Sequence, residues 1–161
     1  MQTERDVGLV ELATFLEHLP DIAVIVRPND GRLMGANQAA VTAYGYTRDE
    51  LLSLTIHNLH VPETLAQAYD QMEKADPVGF RFETIHRRNR GETFPAEVNC
   101  RVVLHNGSRV LLSVVRDVSE KYRLVGALKE AESRDKDEFK RTEERLRFFK
   151  TAIDQAPLAA Y

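Results

Sequence analysis

The chain has 161 residues, 43% of them hydrophobic, with a net charge of −3 and one cysteine. This is one domain of ordinary size with chain to spare, and its interspersed acids and bases lack the basic face of a nucleic-acid binder. A lone cysteine excludes an intrachain disulfide, Met1 to Asp6 lacks the basic-then-apolar order of a secretory leader, and no apolar run nears the roughly 18 residues of a membrane span. The expected setting is therefore cytoplasmic, with no nucleic acid and no direct membrane contact, although the parent protein is free to be anchored elsewhere.

Leu9, Leu12, Ala13, Leu16 and Leu19 recur at helical spacing, and Pro20 ends that helix. Asp21 to Arg27 is an apolar strand, Pro28-Asn29-Asp30-Gly31 a tight turn, and Arg32 to Ala36 the returning strand. Asn37 stands where a helix N-cap is wanted before Gln38 to Tyr44, and Gly45 suits a left-handed stop. Thr47 and Glu50 have capping-box spacing for a short helix through Leu52 to Leu54. Ile56 to Val61 reads as an irregular turn, and Pro62 opens a helix from Glu63 to Ala75 that carries Leu65, Ala68, Tyr69 and Met72.

Three strands follow. Gly79 to Arg87 carries Phe80, Phe82 and Ile85. The Arg88-Asn89-Arg90-Gly91 turn leads to Thr93 to Leu104, whose alternation through Phe94, Ala96, Val98, Cys100, Val102 and Leu104 predicts one face in and one out. Pro95 predicts a locally unpaired stretch there. His105-Asn106-Gly107 turns the chain into Ser108 to Arg116. From Ser119 to Thr151 charged residues dominate. Acid-first pairs four apart, such as Glu130/Arg134 and Glu143/Arg147, support a long helix. A heptad row runs Val118, Val125, Glu132, Phe139, Leu146, Ile153, beside Lys121, Leu128, Asp135, Thr142, Phe149, Ala156. The row is apolar at both ends and polar at Glu132 and Asp135. It predicts a two-stranded coiled coil, with a solvated single helix as the alternative. The final segment, Leu146 to Tyr161, echoes Leu9 to Val24: Leu9, Thr14, Pro20 and Ala23 recur as Leu146, Thr151, Pro157 and Ala160.

The order of elements predicts an α+β domain with a five-stranded antiparallel sheet and helices on one face, flanked by the N-terminal helix and the long C-terminal helix. DIAVIVRPNDGRLMGANQAAVTAYGYTRDELL resembles the first half of a PAS domain. Gly91-Glu92-Thr93-Phe94-Pro95-Ala96-Glu97-Val98 is similar to that family's G-x-x-F-P-V-E-V strand, and Arg116-Asp117-Val118-Ser119-Glu120-Lys121 to the D-I-T-E-[RK] motif that closes it. The resemblance implies four parts. These are an N-terminal helix over 1–19, a PAS domain over 20–118, a coiled-coil linker over 119–151 and the truncated start of a second PAS domain over 152–161.

The resemblance also implies a bacterial multidomain signalling protein. Its module would sense a small ligand or a partner and pass the change through a homodimeric helical linker. The output domain would be of histidine kinase or diguanylate cyclase type. Asp117, Glu132 and Asp135 are the expected relay residues, and Tyr44, His57, His60, Tyr69 and Met72 the expected pocket candidates. The alternatives are a ligand-free dimerisation spacer and a haem- or flavin-binding redox sensor. No catalytic constellation is visible, so no enzyme activity is expected of this piece. No metal site is expected either, because His57 and His60 have no third ligand nearby. Photoactive flavin members carry an N-C-R-F-L-Q type segment, which is missing, and Cys100 lies on a late strand as a packed small hydrophobe. Haem-binding members carry a histidine on the helix that corresponds to Glu63 to Ala75, which has none. No cofactor is therefore the first expectation. Arg87, Arg88 and Arg90 read as a solvated hairpin tip, with anion binding by this basic turn as the alternative.

Overall fold

The structure, a computed structural model, describes residues 10–73, 79–105 and 107–154. The chain divides into two compact units, Met1–Ser119 and Glu120–Tyr161. The first unit begins with α1 (residues 10–16) and continues β1 (Ile22–Val26), β2 (Leu33–Ala36), α2 (Gln38–Tyr44), α3 (Arg48–Ser53), α4 (Ile56–Leu59) and α5 (Pro62–Glu73). It ends with β3 (Phe80–Arg87), β4 (Thr93–His105) and β5 (Ser108–Asp117). One antiparallel sheet has the order β2-β1-β5-β4-β3, so the last strand lies at the centre, between the first strand and β4.

The sheet is covered on both faces at β1. Ile22, Val24 and Val26 join Tyr44, Leu51 and Leu59 in the main core under the short helices. Ala23 and Ile25 point the other way and pack with Leu16 of α1 and Val110. Strict alternation on a strand buried on both sides explains why β1 reads as continuous apolar sequence.

Asn37 is completely buried and does more than cap α2. Its side-chain oxygen accepts from the amides of Ala40 and Ala23, each at 3.0 Å. Its amide donates to the carbonyls of Leu16 at 3.1 Å and Asp21 at 2.9 Å. One side chain therefore satisfies backbone groups from the end of α1, the entry to β1 and the start of α2. Glu17 adds a second tie, accepting from the Gln38 amide at 2.8 Å and pairing with Arg48.

The Thr47–Glu50 capping box forms in both directions. Gly45 stops α2 at φ 76°, a backbone region that glycine enters without the Cβ penalty. A short helix, α4, stands where an irregular turn is expected, held by the Asn58 side chain accepting from the Thr55 amide at 2.9 Å. In β4 the inward row holds from Phe94 to Cys100, but Leu104 is 72% exposed, because the strand runs past the helices that would cover it. Pairing of β4 with β5 starts at Ala96, leaving Pro95 to accept from the Val118 amide at 3.0 Å.

The second unit is α6 (Ser119–Asp154), which begins one residue earlier. At ~1.5 Å per residue it spans roughly 50 Å. Val125, Leu128, Phe139, Leu146 and Phe149 are all exposed on it, as are Glu132 and Asp135. Among the described residues no helix is long and apolar enough to cross a membrane. Residues 1–9 and 155–161, which carry the outer parts of the terminal echo, lie outside the described residues.

Candidate functional site

Between the sheet and the short helices lies a cavity of about 20 Å³, room for about one water molecule. Its walls are mainly apolar, with Val26, Val98, Leu111 and Val115 from the sheet and Ile56 and Ala68 from the helices. Polar groups enter from His60, His86, Cys100 and Ser113. No described lining residue is charged.

Alternation on β3 places Phe80, Phe82, Thr84 and His86 toward the helices, while Ile85 turns outward at 44% exposure. His86 is 1% exposed, and its Nδ1 lies 2.7 Å from the Tyr44 hydroxyl, itself fully buried. If Nδ1 carried the proton, the Tyr44 hydroxyl proton and the Nε2 lone pair would both lack described partners. With the hydroxyl donating to Nδ1, one polar atom is left over, the Nε2–H, which has no protein partner. The second arrangement is the less costly one. His60 meets His86 edge to face at 4.4 Å between ring centroids, and their backbones form an isolated bridge. The Thr64 hydroxyl donates to the Val61 carbonyl at 3.1 Å and so acts as acceptor toward His60 Nδ1 at 3.3 Å.

Burial lowers the His60 pKa to about 4, assisted by His57. Burial likewise drives His86 well below the ordinary imidazole value, with His60 adding to the effect. Both rings are neutral at physiological pH. Burial pushes the Cys100 thiol up, partly offset by its contact with the Ser113 hydroxyl at 3.0 Å. A buried, protonated thiol is a poor nucleophile.

A second cluster adjoins the histidines. His86 and Tyr44 both contact the Phe94 ring, and the Arg88 guanidinium lies over the same ring, 4.1 Å from its centroid. Arg88 donates to the Ala43 carbonyl and, at 2.8 Å, to Asp117 Oδ2. Asp117 Oδ1 accepts from the Ser119 amide at 2.9 Å. Partial burial pushes the Asp117 carboxyl up, but bonds from Ser119 and Arg88 outweigh it and hold the group below the usual carboxylate range. The Asn89 amide donates to the Tyr44 carbonyl at 2.9 Å. The β3–β4 turn is thus clamped to the end of α2. Arg88 is three-quarters buried within that clamp rather than at a solvated tip.

The expected pocket residues separate. His60 lines the cavity and Tyr44 holds His86 beside it. His57 stacks on Tyr69 outside, with centroids 4.6 Å apart, and Tyr69 is half exposed. Met72 lies on α5, and its side chain lies outside the described residues. Among the described residues no group of three potential ligands forms a metal site. Ligand pockets are typically ~300–1,000 Å³, so haem or flavin would require the helical wall to move outward.

A family model described as "PAS domain" matches residues 20–120. The methyl sulfide methyltransferase-associated sensor of Methanosarcina acetivorans is 28% identical over 109 residues, 67% of this chain and 11% of that protein. The chain therefore spans about a ninth of that relative's length. The PAS domain of an HTR-like protein from Haloarcula marismortui has a TM-score of 0.58 at 23% identity, covering 67% of this chain and 95% of that one. A LOV protein from Rhodobacter sphaeroides has a TM-score of 0.59 at 14% identity, covering 73% and 69%.

Proposed function

The chain belongs to the PAS domain family, and from that premise we propose that it is a sensory module. A small molecule enters the cavity between the sheet and α4–α5, and the resulting shift reaches the Arg88–Asp117 pair. Asp117 ends β5 two residues before Ser119 opens α6, which hands the change to a downstream domain. The observation that carries this reading is Arg88: it lies on Phe94, which touches His86 of the cavity wall, and grips Asp117. A contact chain of this kind transmits only if two arrangements of similar free energy exist, separated by a few kcal/mol.

In this reading α6 pairs with a second copy through its exposed apolar row, assisted by α1, and the module works in the cytoplasm of a bacterial multidomain protein. The output is a histidine kinase or diguanylate cyclase domain, and residues 152–161 open a second PAS domain. Neither PAS unit needs catalytic residues of its own.

One observation favours a second reading, the ligand-free spacer: a cavity of about 20 Å³ is close to a filled core. Native mass spectrometry of the full chain separates the two. A dimer that retains a small molecule, or gains mass from an added one, supports the sensor. A dimer that takes up nothing from a metabolite extract, with an unchanged melting temperature, supports the spacer and sinks the sensor. An absorption spectrum with a flavin or Soret band would instead establish the cofactor-bound alternative.

A further inference from the structure

His86 is 1% exposed, lines the cavity, and keeps an Nε2 with no protein partner among the described residues. A buried N–H left unpaired costs free energy comparable to a lost hydrogen bond. Its other nitrogen is already committed to Tyr44 at 2.7 Å. With the Tyr44 hydroxyl donating to Nδ1, the ring proton sits on Nε2, on a ring that lines the cavity. The remaining polar wall groups are satisfied differently: Cys100 and Ser113 contact each other at 3.0 Å, and His60 Nδ1 faces Thr64 and Thr84. The unmet demand of this site is one acceptor for one N–H.

Charge sets the second limit. No described wall residue is ionic, and the adjacent guanidinium of Arg88 is engaged by Asp117, Ala43 and the Phe94 face. An anion or cation placed here would be buried without a counter-charge, which is strongly unfavourable. Size sets the third: the cavity as it stands holds about one water, so an organic ligand has few heavy atoms and moves the helical wall outward as it enters.

We infer that the cavity's ligand is a small uncharged molecule with a single acceptor oxygen, such as a ketone, alcohol or ether, that takes the His86 Nε2–H and lays its alkyl part on the Val98–Val115 wall. This rests on the sensory-pocket reading and adds the chemical class to it.

The test is an NMR titration of the full chain with three four-carbon probes: butan-2-one, butyrate and butylammonium. Affinity is read from the methyls of Val98 and Leu111, and the hydrogen bond from the His86 ring nitrogen signals. Butan-2-one is expected to saturate both signals and to bind roughly tenfold tighter than either ion. In the Tyr44→Phe, His86→Phe double variant, which removes donor and acceptor together, its affinity is expected to fall roughly tenfold. Equal or tighter binding of an ion, or undiminished ketone binding by the double variant, overturns the neutral-acceptor assignment and leaves the sensory pocket standing. If none of the three probes saturates any cavity methyl, the neutral-acceptor assignment falls, while the sensory-pocket reading is decided separately by the native mass spectrometry. The comparison of probes on the unaltered chain holds whether or not the variant folds.

Discussion

The buried Asn37 side chain bonds the backbones of Ala40, Ala23, Leu16 and Asp21 at once. Asn37→Ala should cost about 2–4 kcal/mol, more than the ~1 kcal/mol of a cap alone. Asn37→Asp separates the two roles. Aspartate caps a bare helix well but cannot donate to the Leu16 and Asp21 carbonyls, so urea melts should show a loss of the same order. An Asn37→Asp chain as stable as the parent would reduce Asn37 to a cap. His60 and His86 make a second residue-scale prediction. Their folded pKa values lie below the ordinary 6.5, at about 4 for His60, so the unfolded state binds the extra protons. Their stabilising contribution is complete above pH 6.5 and is lost as pH falls toward 4. The slope is about 1.4 kcal/mol per pH unit for each titrating group. The lowered carboxylates Glu17 and Asp117 act below about pH 4.5, leaving the window above to the histidines. Urea midpoints at pH 7, 6 and 5 check this: a flat profile contradicts it, and replacing both histidines by Phe together with Tyr44→Phe should flatten it.

At the scale of elements, most of the fold is legible because period and punctuation agree. Gly45, the Thr47–Glu50 box and Asp117 mark boundaries that the structure keeps, whereas α1 ends at Leu16, short of the Leu19 and Pro20 boundary expected for it. The inner wall of β3 is less legible. Its apolar residues suggest Phe80, Phe82 and Ile85, but period two selects Phe80, Phe82, Thr84 and His86, with Ile85 exposed. Strict alternation is the available signal, and the apolar Ile85 obscures it. Arg88 is hidden for a different reason. Nothing local marks it as buried, since its partners Ala43 and Asp117 lie far away in sequence. For α6 the expectation is dimerisation through a row that is apolar at Val125, Leu128, Leu146 and Phe149 and polar at Glu132 and Asp135. Glu132→Leu with Asp135→Leu should tighten self-association roughly tenfold or more in analytical ultracentrifugation. A chain that stays monomeric with both substitutions would favour the solvated single helix.

At the scale of the whole molecule, the cavity and the start of α6 are separate places joined by His86, Phe94, Arg88 and Asp117. In the proposed relay, a change in the cavity is felt at α6 through Arg88. Ala68→Leu adds bulk to the cavity wall and stands in for an occupant. Hydrogen–deuterium exchange at the amides of Val118 to Arg123, compared across the parent, Ala68→Leu, Arg88→Gln and the double variant, measures the coupling as a double-mutant cycle. With Arg88 present, Ala68→Leu is expected to change exchange at these amides severalfold; in the Arg88→Gln background it is expected to leave them unchanged. The same change in both backgrounds, or none in either, would contradict the relay.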